Sequence, residues 1–400
     1  MTRLVSALFA FWITPFLHAD LDHLRNAIQI INDNYVNDVN AEKLQDGAIE
    51  GILHAFDPHS QYLSNESLKM LQDQTSGHFA GIGVEIEYKD GLLTIVSPID
   101  QSPAAKAGIQ SGDIITAIDH QPTNKLPLIK IIEMIRGEVG SQVSLKIQRG
   151  TNNQLTDIVV TRDIIATPTV TLTYPNNHVA NIRIASFNEQ TLPQLKEAIT
   201  DIINTPKVIN GLIIDLRNNP GGLLHSAVQT ADLFLDANQL DFGRKIVYIK
   251  GKYENSVAYA TPNESLKGLP IIVLINHGSA SAAEIVALAL KEHNRAVILG
   301  QQSFGKGSVQ SIIPLDDQSA IKLTTALYYS PKGTSIQAKG VTPDVFVDLR
   351  ERDQTQPQQA YTSEAQLLGE SATINTQTYF EDPYIQQAID LLQAHYALND

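Results

Sequence analysis

Ser281, Lys306 and Gln310 have the side-chain types and spacing for acyl transfer without a metal. Ser281 follows the apolar run "LPIIVLIN" and precedes an Ala-rich helical pattern from Ala282, so it stands where a buried strand gives way to a helix. That position aims a hydroxyl into the crevice at the strand ends and sets N–H groups beside it that can hold an oxyanion. Ser279 or Ser281 there also serves as an ordinary helix cap. Lys306 lies in "GQQSFGKGSV", which has the G-x-x-x-x-G-K spacing of a phosphate loop but carries Gly307 where Ser or Thr should follow. The next residues, Val309, Ser311 and Ile313, alternate as a strand up to Pro314, so no helix N-terminus serves a phosphate. Between two glycines and flanked by Phe304 and Val309, Lys306 is placed for partial desolvation, which moves an amine towards general-base behaviour. As a base it would deprotonate Ser281, with Gln310, four residues on, orienting the amine. The plainer reading is a solvated loop lysine.

A second turn, "DLRNNPGGLL" at Asp215 to Leu224, ends another apolar strand. Pro220 stiffens it, and Gly221 and Gly222 let backbone N–H groups approach a ligand. Two such turns at neighbouring strand ends supply converging donors, each contributing about 3 kcal/mol to acyl transfer in a typical oxyanion hole. His277 and His225 lie in the same two turns, so a His base with Asp215 is the rival arrangement. The 11 histidines show no H-E-x-x-H spacing, and the absence of cysteine removes disulfides, thiolate nucleophiles and Cys-ligated metals. No cofactor is expected.

These turns require strands and helices to hold them. Between Pro168 and Val347 the pattern alternates strand ("NIRIASF"), helix (192–203), strand ("GLIIDLR"), helix (223–235), strand and helix, the signature of an α/β layer architecture. From Asp20 to about Leu63, apolar residues recur at helical spacing in two runs, around Leu24 to Ile31 and Leu44 to Leu53, until Pro58 in "DPHS" stops the pattern. From Gly77 to Asp163 short strands flank two helices, one capped by Ser102 and ended by Gly108, the other built on Leu128, Ile131, Ile132 and Ile135. Residues 351–378 read as a polar linker and Ile385 to Leu398 as a final amphipathic helix. "MTRLVSALFAFWITPFLHAD" has the layout of a secretory signal ending at Ala19, with an uncleaved anchor as the lesser alternative. With 43 acidic against 29 basic residues the net charge is −14, which disfavours nucleic acid and anionic lipid as partners.

Two resemblances add to this reading. "FAGIGVEI" and "SPAAKAGIQSGDIITAID" resemble the carboxylate-binding loop and central segment of a PDZ domain. In such a domain the N–H groups of Gly81, Ile82 and Gly83 form a nest for a peptide's terminal carboxylate and the following strand edge pairs with its backbone. "NHGSASAAEIVALAL", with Lys306 25 residues after Ser281 and then Gln310, resembles the carboxyl-terminal processing proteases, tail-specific Ser/Lys peptidases of family S41. The likeness extends to "DPHSQYL", "DLRNNPGG", "SFGKGSVQ", "KLTTALYYSPKGTSIQ" and "GVTPD". It implies Ser281 as nucleophile, Lys306 as base, Gln310 as its orienter, and Gly221 and Ala282 as oxyanion donors. It further implies an α/β multidomain fold: a crotonase- or Clp-like βα spiral protease core (168–347) with an inserted PDZ domain (77–163) and a small helical N-terminal cap (20–70). A signal peptide (1–19) and a polar linker with a C-terminal helix (348–400) complete the expected chain.

The expected partners are proteins or peptides with apolar C-termini, with an adaptor protein and a homo-oligomer suggested by the resemblance, and the expected compartment is the periplasm. Three positions depart from the family pattern: Ala283 where Ser is frequent, Leu327 where Arg is frequent, and Ala338 where Gly is usual. The alternative functions are a non-catalytic PDZ module that delivers proteins to another protease and, from the core fold alone, acyl-CoA chemistry.

Overall fold

The computed structural model describes residues 18–89, 91–99, 101–149, 154–166, 168–240, 242–253, 255–262, 264–347 and 382–399. The expected linker 351–378 and nearly all of the expected signal segment lie outside them. No helix among the described residues is long and apolar enough to cross a membrane. The chain divides into two compact units, one of residues 1–68 and 310–324, the other of 69–309 and 325–400.

The first unit holds helices α1 (His18–Asn34) and α2 (Ala41–His54) and strand β1 (Gln61–Leu63). Asn40 caps α2 by accepting the Lys43 N–H at 3.0 Å. The helix ends three residues before Asp57, in line with the bar that Pro58 places on an α conformation there. β1 pairs antiparallel with residues 320–322, and Glu50 of α2 accepts the Tyr62 N–H at 2.5 Å. A third helix, α3 (Asn65–Ser76), runs across the expected cap boundary at residue 70. It buries no side chain fully.

In the second unit, the PDZ segment comprises β2 (His78–Gly81), β3 (Val84–Lys89), β4 (Leu92–Pro98), α4 (Pro103–Lys106), β5 (Ile114–Ile118), β6 (Gln121–Pro122), α5 (Leu128–Ile135), β7 (Gln142–Arg149), β8 (Gln154–Thr161) and β9 (Asp163–Ala166). Its main sheet runs β3-β4-β5-β7-β8, while β2 and β9 form a separate ribbon. Inward residues alternate along these strands: Leu93 with Ile95, and Val143 with Leu145 and Ile147, meet Ile82 and Ile131 in one buried cluster. Ser102 accepts the Ala105 N–H at 3.2 Å, and Gly108 takes φ +81° past the end of α4, as the Ser-Pro…Gly spacing predicts.

The remaining elements are β10 (Val170–Thr173), β11 (Val179–Ile184), α6 (Thr191–Asn204), β12 (Gly211–Asp215), α7 (Leu224–Asp232), β13 (Lys245–Gly251), β14 (Asn255–Tyr259), β15 (Ile271–Ile275), α8 (Ala282–Glu292), β16 (Ala296–Gly300), β17 (Ser308–Pro314), β18 (Ala320–Tyr329), β19 (Val345–Phe346) and α9 (Pro383–Asn399). A sheet of order β10-β11-β12-β15-β16-β19 is parallel apart from the antiparallel β10. Every residue of β12 and β15 is buried because both faces are covered. Leu212, Ile214, Ile271 and Val273 pack with α6, α7 and α8, whereas Ile213, Ile272 and Leu274 meet Ile385, Ala388 and Leu392 of α9.

One ion-pair network anchors α9 to the sheet. Asp215, fully buried at the end of β12, receives Arg217 through two bonds of 2.9 and 2.7 Å and lies 3.5 Å from Arg183. Arg217 also pairs with Asp382 at 2.8 Å and lies over the Tyr384 ring. Burial alone would raise the Asp215 pKa; the Arg217 and Arg183 charges and the Arg217 hydrogen bonds outweigh it and hold the carboxyl below its ordinary value. A depressed folded-state pKa contributes stability that is full above the unfolded carboxyl value of about 4 and is lost as pH falls through the folded value. Asp215→Asn, which leaves Arg217 under-paired, should cost about 3–5 kcal/mol at neutral pH. Melting curves of both proteins from pH 7 to pH 3 check this: the gap in melting temperature should be widest near neutrality and close below about pH 4.

Candidate active site

Ser281 is the last residue before α8 and holds φ +54° and ψ −113°, a conformation that L-residues other than glycine seldom adopt. Strain of this kind at a strand-to-helix turn presents a serine hydroxyl at the top of a sheet. The turn is held by Ser279, whose hydroxyl donates to the Leu216 carbonyl at 2.8 Å, and by the Ala280 N–H, which donates to the Asn219 carbonyl at 2.9 Å. The "GSAS" and "NNPGG" turns are thereby tied together at the ends of adjacent strands β15 and β12.

The first turn of α8 contains the central feature of the site. The Glu284 carboxylate is completely buried, yet it accepts four hydrogen bonds. Its Oε2 takes the Ser281 N–H at 2.7 Å and the Lys306 N–H at 2.9 Å, while Oε1 takes the Ser303 hydroxyl at 2.5 Å and the Gly305 N–H at 2.7 Å. One oxygen atom therefore joins the backbone of Ser281 to that of Lys306. Burial pushes the Glu284 pKa up, and the donors from Ser303, Gly305, Ser281 and Lys306 oppose that rise without cancelling it. The S-x-x-E spacing of a capping box was legible in "SAAE". That the same carboxylate also serves residues 303–306 depends on the fold.

Lys306 is half-buried between buried Gly305 and Gly307, beside an exposed Phe304. Gly305, at φ +92°, passes so close to the 338–340 backbone that an added Cβ would stand 2.8 Å from the Gly340 nitrogen. At Gly307 a Cβ would stand 2.9 Å from the Gln337 nitrogen. The two glycines flank Lys306 because its loop is pressed against another loop, and the strand that follows it is β17, as the alternation predicts. Tyr328, almost fully buried, donates to the Lys306 carbonyl and its hydroxyl also hydrogen-bonds Ser281. Burial first, then the Glu284 charge, push the Tyr328 phenol well above its ordinary pKa, so it remains a neutral donor.

Gly221 lies against this turn: a Cβ on it would be 2.8 Å from the Ser281 Cβ and 3.1 Å from the Ala282 nitrogen. Among the described residues the Ala282 N–H meets no acceptor. The Gly221 N–H donates to Asn219 Oδ1 at 2.8 Å, so its donor is occupied by a side chain of its own turn. Ser281, Ala282, Gly221 and the Lys306 backbone are thus gathered into one place. Gln310 belongs to the other compact unit, where its Nε2 donates to Thr324 Oγ1 at 3.3 Å. In that unit burial also pushes Lys322, on β18, below the ordinary lysine pKa.

The histidine arrangement is not assembled. His277 and His225 are exposed, and Asp215 is engaged by Arg183 and Arg217. Two of the three departures have local reasons: Ala283 is fully buried, where a serine hydroxyl would need a partner, and Leu327 sits opposite Lys250 across β18 and β13, where an Arg would oppose a like charge. Ala338 holds φ +59°, so it carries strain that glycine would avoid.

In the PDZ segment Ile82 is fully buried and Gly83 takes φ +75°. Their N–H groups meet no acceptor among the described residues, while the Ile82 carbonyl is bonded to the Ala104 N–H at 2.8 Å and the Gly83 carbonyl to the Ile99 N–H at 2.9 Å. The Gly81 residue closes the ribbon opposite Asp163. β3 follows this loop as an edge strand of its sheet.

Residues 178–347 match peptidase family S41, residues 94–149 match a PDZ domain, and residues 14–67 match the N-terminal domain of activating protease CtpB. The carboxy-terminal-processing protease of Bartonella bacilliformis is 43% identical over 323 residues, covering 80% of this chain and 73% of that protein. The chain belongs to peptidase family S41. Carboxy-terminal processing protease CtpA of Bacillus subtilis is 37% identical over 329 residues, covering 82% of this chain and 69% of its own. A solved structure of a Bacteroides fragilis protein described as an S41 protease covers both chains completely with a TM-score of 0.54 at 15% identity, a likeness of fold alone. The protein is therefore a C-terminal processing protease of the S41 serine peptidases, carrying a PDZ domain and an N-terminal domain.

Glu284→Gln tests the shared carboxylate. An amide presents N–H donors to at least one pair of groups that must themselves donate, so the turn and the Lys306 loop lose a common acceptor. Peptide cleavage should fall on the order of a hundredfold in kcat, about 3 kcal/mol, with KM little changed. Steady-state kinetics of the two proteins check it.

Proposed function

We propose that this S41 peptidase is an exported serine endopeptidase that recognises protein C-terminal tails through its PDZ domain and cleaves them with a Ser281/Lys306 dyad. The observation that carries the reading is the single Glu284 oxygen that receives both the Ser281 and the Lys306 N–H. In the proposed reaction Lys306 takes the Ser281 proton as Oγ attacks the scissile carbonyl, and returns it to the leaving amine. Gln310 orients the Lys306 amine. The developing oxyanion takes the Ala282 N–H and displaces Asn219 Oδ1 from the Gly221 N–H; water then hydrolyses the acyl-enzyme.

Tail recognition draws support from the open N–H groups of Ile82 and Gly83 at the start of an edge strand, an arrangement suited to a carboxylate followed by an added β-strand. Apolar C-termini, delivery by an adaptor, self-association and a periplasmic location belong to the same proposal. Tail binding would also shift the PDZ unit from a closed to an open arrangement.

Labelling by a serine-directed fluorophosphonate, read with peptide cleavage, tests the dyad. Ser281→Ala and Lys306→Ala should each abolish both signals, and His277→Ala should keep most of them. Survival in Lys306→Ala with loss in His277→Ala or Lys322→Ala would move the base to that residue. Labelling retained in Ser281→Ala would remove the nucleophile. Deleting residues 77–163 should leave fluorophosphonate labelling measurable while cleavage of tail-bearing proteins falls at least tenfold; unchanged cleavage would contradict recruitment and gating alike.

A further inference from the structure

The "DPHS" turn meets Thr324, near the start of the "KLTTALYY" motif, within the first compact unit, which also holds Gln310. Asp57 Oδ1 accepts the His59 N–H at 2.8 Å, the Ser60 N–H at 3.0 Å and the Thr324 hydroxyl at 3.2 Å; Oδ2 accepts the Ser60 hydroxyl at 2.7 Å. Ser60 Oγ, fully buried, in turn accepts the Thr324 N–H at 3.1 Å. Thr324 is therefore held to the 57–60 turn through both its backbone and its side chain. Its Oγ1 receives Gln310 Nε2 at 3.3 Å.

The direction of these bonds follows from counting protons. A threonine hydroxyl has one, and an ionised carboxylate can only accept. Burial would raise the Asp57 pKa, but the bonds from Ser60, His59 and Thr324 outweigh it and hold the carboxyl below its usual value, so it is ionised at neutral pH. The Thr324 proton is committed to Asp57, leaving Thr324 Oγ1 an acceptor towards Gln310. Only the nitrogen end of the Gln310 amide satisfies it. An amide oxygen turned there would face an oxygen with no proton to give.

We infer that Asp57 and Thr324 form a relay that fixes the polarity of the Gln310 amide, making them positioning residues for the peptidase reaction. The inference rests on the proposed role of Gln310 as orienter of Lys306. An amine acting as a base must donate its own N–H bonds to acceptors so that its lone pair is directed at the serine proton. With Nε2 turned to Thr324, the amide oxygen is the end of Gln310 that can accept from an amine. A flipped amide would offer N–H to N–H.

Kinetics of the full chain on a peptide substrate test the relay. Thr324→Val should lower kcat at least tenfold with KM within about twofold, and Thr324→Ser, which keeps the hydroxyl, should restore most of the loss. The deciding measurement is the cycle with Gln310→Ala. Once the amide is gone there is nothing to orient, so Thr324→Val should cost nothing further in that background. Asp57→Asn, a weaker acceptor that keeps an oxygen for the 59–60 N–H bonds, should show a smaller kcat loss that vanishes in the same background, and it decides the matter should Thr324→Val fail to fold. A Thr324→Val cost that persists without Gln310, or no restoration by Thr324→Ser, would overturn the relay and leave the dyad standing. An unchanged kcat in Gln310→Ala would overturn both the relay and the assignment of Gln310, whereas the dyad itself is judged separately by Ser281→Ala and Lys306→Ala.

Discussion

The buried Glu284 carboxylate is the interaction on which the arrangement of this molecule's candidate site depends. A carboxylate without solvent is costly, and here four donors from residues 281, 303, 305 and 306 meet it. Because the donors come from two loops far apart in sequence, satisfying the charge joins them. The helix that supplies Glu284 is itself buried along Ala282 to Ala287 against the parallel sheet, so the anchor is as rigid as the core. Tyr328 adds a second tie between the same loops through the Lys306 carbonyl and Ser281.

A similar logic operates at the other strand end. Asp215 closes β12 with a bidentate arginine, and the turn that follows carries Gly221 to within contact of Ser281. Charge pairing there does not build a His-Asp catalytic pair. It locks the register of the strand and the position of α9, which covers the opposite face of the sheet. The parallel sheet thus presents two turns side by side, with the Ala282 N–H meeting no acceptor among the described residues and the Gly221 N–H bonded to Asn219 Oδ1.

The S41 membership gives these observations a chemical setting, and the PDZ segment extends it. β3 is an edge strand, and the Ile82 and Gly83 N–H groups that precede it meet no acceptor among the described residues, an arrangement suited to an added strand. The first compact unit contributes differently: Asp57 and Thr324 act on the amide of Gln310 through hydrogen-bond direction, with no contact to a reacting atom required.

Local pattern was enough to determine most elements. The alternation in "GSVQSIIPL" made β17, the i, i+3, i+4, i+7 run made α5, and Ser102 with Gly108 bounded α4, because propensity, capping and turn chemistry act over a few residues. The helix α3 and the hairpin of β13 and β14 escaped it: α3 buries no side chain fully, and β14 is largely exposed. Ser281, Lys306 and Gly221 were legible as residues, since their types and flanking glycines are written in the chain. Tyr328, Asp57 and Thr324 were not, and of Glu284 only the capping-box spacing was. Their roles arise when a buried charge or hydroxyl finds partners across 22, 47 or 267 positions, and only the folded backbone decides which oxygens and N–H groups come within hydrogen-bonding distance.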